Sequence, residues 1–134
     1  MNIVLDTNVF VSGLFFKGGA PHRILRAWQS EQFILYASAE ILNEYERVIR
    51  ELVHVRPTVD PDKAIFLIHK NVQLVKSFIL PRQVCDDPDD DKFISCALTI
   101  KASIVSGDKA LLRTAGYKNL VVLTPAQFER QYLI

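Results

Sequence analysis

Cysteine is scarce in this sequence, and a charge excess of either sign is missing. The two cysteines, Cys85 and Cys96, show no C-x-x-C spacing, so we expect both to be small buried apolar residues of a reduced protein. The formal net charge is +1, which is far from the strong basicity of many nucleic-acid-binding domains. Any site for a polyanion must therefore be a local group of residues.

Long hydrophobic runs are also missing. No apolar stretch approaches the roughly 20 residues that cross a bilayer, so we expect no membrane association. Asp6 ends the first apolar run, and no basic segment precedes that run, so we do not expect a signal peptide. Together these features predict a cytoplasmic protein.

The 134 residues fit one domain, which we place at residues 1–134. The hydrophobic fraction of 49% is enough to bury a core, and the charged fraction of 23% is typical of globular proteins. The chain contains no repeat, no low-complexity tract and no obvious linker between domains.

Short apolar runs alternate with amphipathic segments along the chain. The runs predict buried strands at residues 3–5, 33–36, 102–106 and 120–123, with a further short strand at 83–85. The amphipathic segments predict helices that begin near Pro21, Ser38, Asp60, Asp91 and Thr124. This alternation predicts an α/β fold with a mainly parallel sheet covered on both faces.

Acidic residues fall where a parallel sheet binds ligands, beyond the carboxyl ends of its strands. Asp6 ends the first predicted strand, and Asp108 follows the third. Glu44 borders the apolar stripe of the helix from Ser38, so its carboxylate can reach a shared cavity.

The segment from Asp86 to Asp91 places five acids in six positions, and they repel one another at neutral pH. Solvent, helix N-terminal amides or a cation must offset that repulsion. Oxygen ligands without histidine suit Mg²⁺ or Mn²⁺, which can activate water and stabilise charge on a phosphodiester.

Each acid also has an ordinary structural interpretation. Asp6 can belong to a strand-to-turn segment, and Asp108 after a glycine is a common turn residue. Either Asp90 or Asp91 can be a helix N-cap, and Glu44 can be a solvated helix acid. The combination of acids favours a metal site over these separate interpretations.

Four segments resemble the motifs of the PIN-domain family of nucleases, in its toxin-like branch. Ile-Val-Leu-Asp-Thr-Asn-Val at residues 3–9 is similar to the first motif, and Ile-Leu-Asn-Glu-Tyr at residues 41–45 is similar to the second. Asp-Pro-Asp-Asp-Asp-Lys-Phe-Ile at residues 87–94 resembles the third, and Ser-Gly-Asp at residues 106–108 resembles the fourth. The resemblance extends over nearly the whole chain, to about Phe128.

The resemblance implies a three-layer α/β/α fold and Mg²⁺- or Mn²⁺-dependent cleavage of single-stranded RNA. It implies metal binding and catalysis by four acids, with a water molecule that attacks phosphorus to leave a 5′-phosphate and a 3′-hydroxyl. These acids are Asp6, Glu44, Asp91 and Asp108. Asp90 is the alternative for the third acid, one position away. Asn8 and Ser106 are expected to support the carboxylates by hydrogen bonds.

The same resemblance implies partners. Many relatives are toxins that a small antitoxin protein inhibits, and many are homodimers, whereas others act in RNA processing. Lys17, Lys92 and Lys109 are candidates for contacts with RNA phosphates, although each can also be a solvated surface charge.

Three other functions are less consistent with the sequence. An aspartyl-nucleophile phosphatase usually has an Asp-x-Asp motif at the first strand, and its second aspartate protonates the leaving group. Here that position is Asn8, which cannot do so. Phospho-acceptor signalling domains are also α/β proteins with acids at strand ends, and they resemble one another in having a lysine at the end of the last strand. This chain has Thr124 there. A PIN-fold module that binds RNA or protein without cutting is the third alternative.

Overall fold

A central sheet of five parallel strands organises the molecule. The computed structural model describes residues 1–133. The strands are β1 (Asn2–Leu5), β2 (Ile34–Ala37), β3 (Gln73–Leu74), β4 (Ser103–Val105) and β5 (Val122–Leu123). Their order across the sheet is β3-β2-β1-β4-β5, and every neighbouring pair is parallel. The predicted α/β class with a parallel sheet is confirmed.

Seven helices flank the sheet and make the outer layers of a three-layer α/β/α fold. They are α1 (Thr7–Phe15), α2 (Ala20–Gln29), α3 (Ala39–Val55), α4 (Pro61–Asn71), α5 (Asp91–Ile100), α6 (Lys109–Leu112) and α7 (Pro125–Tyr132). Short 3₁₀ turns cover Pro88–Asp90 and Tyr117–Asn119. Within residues 1–133, no helix combines the length and apolar character needed to cross a membrane.

Helix starts follow the capping chemistry that the sequence predicts. The side chains of Ser38 and Asp60 accept hydrogen bonds from backbone N–H groups in the first turns of α3 and α4. Thr124 and Gln127 form a reciprocal capping box at the start of α7. The five predicted helices are therefore all present.

Helix α1 was not predicted, because its sequence lacks an amphipathic period. Val9, Phe10, Val11 and Phe15 are all buried, so apolar residues occur on several sides of this helix. A helix that is apolar on several sides is buried among other elements. It packs against both α2 and α3.

The predicted strand at residues 83–85 is wrong, and β3 (Gln73–Leu74) is the fifth strand instead. The backbone N–H groups of Val84 and Cys85 donate to the carboxylate of Asp91, at 3.1 and 2.7 Å, and not to a neighbouring strand. This segment is therefore held by a side chain at the start of α5. Cys85 and Cys96 are free and buried, which confirms their interpretation as core residues.

Candidate metal and nucleic-acid site

Strand order places two of the predicted acids side by side. The chain direction across the sheet reverses at β1, which has β2 on one side and β4 on the other. In open parallel sheets, ligands bind beyond the carboxyl ends of strands at such a reversal. Asp6 directly follows β1, and Asp108 lies three residues beyond β4. The topology thus brings two residues about a hundred positions apart in sequence to one edge.

Asp6 begins helix α1 with its backbone and leaves its side chain free for the site. Its carbonyl oxygen accepts hydrogen bonds from the N–H groups of Val9 and Phe10, while its carboxylate makes no capping bond. The carboxylate instead accepts a 2.7 Å hydrogen bond from the hydroxyl of Ser106, which is fully buried. The Ser106 hydroxyl also accepts from the N–H of Asp108 at 3.0 Å. Ser106 therefore links the two acids.

Glu44 reaches the same edge because the next residue anchors α3 to β1. The buried hydroxyl of Tyr45 donates to the carbonyl oxygen of Leu5, directly before Asp6. The Glu44 carboxylate then accepts a hydrogen bond from the Thr7 hydroxyl through Oε2. Its other oxygen lies 2.9 Å from the ammonium group of Lys92. Glu44 is thus positioned by contacts with two elements besides its own helix.

The structure separates the two candidates for the third acid. The Asp91 carboxylate accepts from the backbone N–H groups of Val84 and Cys85 and lines a different cavity, of about 370 Å³. Asp90 lines the cavity of Asp6 and makes no capping bond to α5. The geometry therefore brings Asp90 to the acidic cluster and does not bring Asp91 there. Spacing to the apolar residues of α5 favoured Asp91, but these backbone donors orient its carboxylate away.

The acids share an open cavity of about 680 Å³, which they line with polar and apolar residues of α1 and α3. The carboxylates on its wall are those of Asp6, Glu44, Asp87, Asp90 and Asp108. We use the term acidic cavity for this site.

Burial and mutual repulsion shift two acids of this cavity, Asp6 and Asp90, toward the protonated form. Burial first, and then the charges of Asp6, Asp87 and Asp108, together raise the pKa of Asp90 to about 7 against the opposing effect of Lys92. Burial also raises the pKa of Asp6, helped by Asp108 and opposed by the hydrogen bond from Ser106. A bound cation would relieve this strain, because it stabilises the ionised forms.

The chemistry of the donors fits a hard divalent ion, since the cavity offers carboxylate oxygens and no histidine or cysteine. Across residues 1–133, no group of three or more His, Cys, Asp and Glu side chains is arranged so that it could hold a metal ion as it stands. The carboxylates lie on the wall of one cavity and repel one another. In this arrangement they do not form a coordination shell.

The remaining predicted residues have different environments. Asn8 lines the cavity, but within residues 1–133 its side chain makes no hydrogen bond to a carboxylate. Lys92 is a largely buried partner of Glu44 and Asp89, so its ammonium is occupied. Lys17 and Lys109 are exposed and do not line the acidic cavity.

Several residues that line the cavity were not singled out from the sequence, and three of them affect its charge or its hydrogen bonds. Thr7 bonds to Glu44, Asp87 caps the 3₁₀ turn before α5, and Arg47 lines the cavity one turn beyond Glu44. Thr7 and Asp87 lie inside two of the recognised motifs, which was the available signal. Nothing in the local sequence distinguishes Arg47 from Arg50, the other exposed arginine of α3.

Comparison with known proteins agrees with this geometry. A family model described as PIN domain matches residues 2–110. The chain belongs to the PIN-domain family. An uncharacterized protein of Methanocaldococcus jannaschii is 35% identical over 117 residues, which are 84% of this chain and 74% of that protein. The resemblance found in the four motifs is thus confirmed.

Membership in the PIN-domain family indicates a nuclease, and PIN nucleases typically use divalent metals. The matched range contains the whole acidic cavity except for its contact with Pro125. The family assignment and the acidic cavity therefore concern the same part of the molecule.

Proposed function

We propose that this PIN-domain protein is an endoribonuclease that cleaves single-stranded RNA with the help of Mg²⁺ or Mn²⁺. The observation that supports this function best is the convergence of Asp6, Asp90 and Asp108 on one cavity, where burial and repulsion raise the pKa values of Asp6 and Asp90. An uncompensated acidic cluster of this kind is costly, and cation binding offsets the cost.

Asp6, Asp90 and Asp108 would hold the ion, with Glu44 beside them. When bound, the ion would lower the pKa of a water molecule and neutralise charge on the phosphodiester. The protein's own residues position these acids. Ser106 orients Asp6 by donating to it, and Thr7 with Lys92 orients Glu44. Such supporting contacts fix ligands and tune their basicity.

Cleavage assays with a labelled single-stranded RNA test this proposal. Wild-type protein should cut in Mn²⁺ or Mg²⁺, not in chelator, and should leave 5′-phosphate ends. The Asp6→Asn variant should fold normally but cut at least 100-fold more slowly, since metal ligands contribute large effects. Asp62→Asn is the matched control, because Asp62 is an exposed acid of α4 outside the cavity. Full activity of folded Asp6→Asn protein would contradict the assignment.

The non-cutting PIN module remains the alternative function. Calorimetric titration with Mn²⁺ separates the two, because a nuclease site must bind the ion even when the tested RNA is the wrong substrate. Wild-type protein should bind Mn²⁺, and Asp90→Asn protein should bind it more weakly. Absence of binding by the folded wild-type protein would favour the binding module.

A toxin role belongs to the same proposal, with a small antitoxin protein and a homodimer as its partners. Leu74, Phe78 and Ile79 give apolar surface next to the open edge of β3 where a protein partner could dock, and Ile79 is 95% exposed. Light scattering on purified protein measures the oligomeric state. Co-expression with the product of an adjacent gene then tests for an inhibitor.

A further inference from the structure

Helices α1 and α3 both extend away from the acidic cavity, and each presents a row of residues at four-residue spacing. The row on α1 is Asn8, Ser12 and, directly after the helix, Phe16. The row on α3 starts at Glu44 and passes through Val48. Asn8, Ser12, Glu44 and Val48 all line the acidic cavity. Residues four apart are neighbours on one helix face, so each row marks a continuous surface.

The two rows meet again at their far ends. The guanidinium group of Arg56, directly after α3, lies 4.5 Å from the centre of the Phe16 ring. Phe16 is 48% exposed, so one part of the ring contacts the arginine and another part faces solvent. The cavity residues of α1 and α3 at one end and the contact of Arg56 with Phe16 at the other thus mark the two ends of the surface between the helices, which we call the groove.

Charge changes sign along this groove. Arg47 lines the acidic cavity, pairs with Glu51 at 3.0 Å on a solvated surface and lies 3.9 Å from the carboxylate of Glu44. Such exposed pairs are weak, so a phosphate can compete for the arginine. At the far end, Arg56 and Lys17 are exposed and form no ion pair with any residue between 1 and 133.

We propose that the groove between α1 and α3 binds the single-stranded RNA on one side of the cleaved phosphate, with a base stacked on Phe16 and phosphates held by Arg47 and Arg56. An aromatic ring and arginines along a groove are the features that bind single strands without sequence readout. Duplex RNA is excluded, because its bases are not free to stack. This inference rests on the proposed nuclease function for the position of the cleaved bond.

The length of α1 sets the number of nucleotides involved. At a rise of about 1.5 Å per residue, Phe16 lies about 13 Å beyond the start of α1. A stacked strand rises roughly 3.4 Å per nucleotide, so about four nucleotides separate the cut from the stacked base. A dinucleotide is therefore too short to reach Phe16 from the acidic cavity.

Binding and cleavage are measured separately. Fluorescence anisotropy with the Asp6→Asn protein reports affinity for a labelled single strand of about ten nucleotides, a length within the usual range of such sites. Cleavage of that strand and of a dinucleotide by protein with wild-type acids gives kcat/KM. Phe16→Ala should weaken binding of the longer strand about 5- to 150-fold, the usual range for loss of one stacked base. It should leave cleavage of the dinucleotide unchanged.

Two further variants separate stacking from charge. Phe16→Trp should retain the affinity of the wild type, because it keeps a stacking surface. Arg56→Gln should reduce the slope of log affinity against log salt by about one, as expected for one lost phosphate contact. Phe66→Ala is the matched control, since Phe66 is an exposed phenylalanine outside the groove, and it should have no effect.

The outcomes distinguish this inference from the proposed function. If the wild type cleaves both RNAs and Phe16→Ala changes neither affinity nor kcat/KM, the groove is wrong and the nuclease stands. If affinity depends on Phe16 but no RNA is cut and the wild type binds no Mn²⁺, the groove stands and the nuclease is wrong. Equal affinity for a matched duplex, or equal losses in Phe66→Ala protein, would overturn the stacking role.

Discussion

The ammonium group of Lys92 lies 2.9 Å from Oε1 of Glu44, and both side chains are largely buried, at 8% and 15% exposed. The same ammonium binds the carboxylate and the carbonyl oxygen of Asp89, at 2.9 and 2.8 Å. Burial alone would lower the pKa of Lys92, but the hydrogen bonds with Glu44 and Asp89 outweigh burial and raise it. A permanent cation therefore lies against Glu44, next to the acidic cavity, although Lys92 itself lines the neighbouring cavity that contains Asp91. Glu44 therefore differs from Asp6 and Asp90, which form no ion pair with a lysine in the part of the chain that the structure describes, although the charge of Lys92 acts on Asp90 from a distance.

Lys92→Met should destabilise the protein, because it leaves Glu44 in a buried position without its cation. Removing one partner of a buried ion pair costs roughly 3–5 kcal/mol in unfolding free energy. Urea denaturation measures this difference. Arg113→Gln is the control, since the pair of Arg113 with Asp86 is exposed and should contribute less than about 1 kcal/mol.

The double variant Lys92→Met, Glu44→Gln identifies the cause of that loss. The second substitution removes the charge of Glu44, which Lys92→Met leaves unpaired, so the double variant should recover most of the lost stability. Equal stability of the single and double variants would mean that Lys92 acts through Asp89 or packing alone.

Asp90 and Asp91 should respond in opposite ways to loss of charge. Asp90→Asn removes a destabilising charge, so the metal-free protein should be at least as stable as wild type while Mn²⁺ affinity and cleavage fall. Asp91→Ala removes the acceptor of two backbone N–H groups, which should cost roughly 1–3 kcal/mol in unfolding free energy. Thermal unfolding and calorimetry on both proteins make the comparison. Loss of Mn²⁺ binding only in the Asp91 variant would reverse the assignment.

Sequence patterns predicted the elements that have a period or a cap. The helices beginning at Ser38 and Thr124 and the strand at β1 (Asn2–Leu5) are all recognisable from local chemistry. Helix α1 was not, because burial on several sides removes the period that identifies a helix. Strand β3 (Gln73–Leu74) has only two residues, one polar and one apolar, which is too short to show the alternation that identifies a strand.

The sequence predicted those residues of the candidate site that follow the ends of strands. Asp6 and Asp108 follow strands, so topology alone places them together. The choice between Asp90 and Asp91 depends on the backbone donors at Val84 and Cys85, which come from a loop without secondary structure. Sequence periodicity contains no information about such a loop.

The metal-free protein should lose stability as pH rises. The pKa of Asp90 is about 7 in the folded protein and has its ordinary value of 3.8 in the unfolded chain. Between these values the folded protein holds a proton that the unfolded chain has released, so rising pH favours unfolding. Stability should therefore fall between pH 3.8 and about 7 and be lowest above that range.

Melting temperatures in chelator, at about pH 5 and about pH 8, measure this dependence. Asp90→Asn protein should show a smaller difference between the two, because its side chain does not titrate there. Added Mn²⁺ should stabilise the wild type more at the higher pH, where the carboxylates are ionised. An identical pH dependence of both proteins would argue that Asp90 is not the responsible group.

Ser106→Ala should weaken metal binding without unfolding the protein. The hydroxyl of Ser106 donates to Asp6 and accepts from the N–H of Asp108, so its loss frees both acids at once. Loss of such a supporting contact typically reduces metal affinity about 10- to 100-fold. Calorimetric titration with Mn²⁺ measures the change, and Ser106→Thr, which keeps the hydroxyl, should retain most of the affinity. Equal weakening by both substitutions would implicate packing at this buried position.

Gly13 determines how closely α2 approaches α1. A Cβ atom at Gly13 would lie 2.6 Å from the carbonyl oxygen of Pro21 and 2.7 Å from Cγ of Leu25. Backbone cannot yield as a flexible side chain does, so Gly13→Ala should push the helices apart and cost about 1–3 kcal/mol. This exceeds the gain of roughly 0.5–1 kcal/mol that alanine brings inside a helix.

Gly107→Ala is the matched control, because nothing lies within 4 Å of its added Cβ and its φ is not in the left-handed region. Its unfolding free energy should stay within about 0.5 kcal/mol of the wild type. Helix α1 also places Thr7 against Glu44, so displacement of α1 by Gly13→Ala should disturb that hydrogen bond. Lower Mn²⁺ affinity in the Gly13 variant would link helix packing to the acidic cavity, whereas unchanged affinity would confine the damage to the contact between α1 and α2.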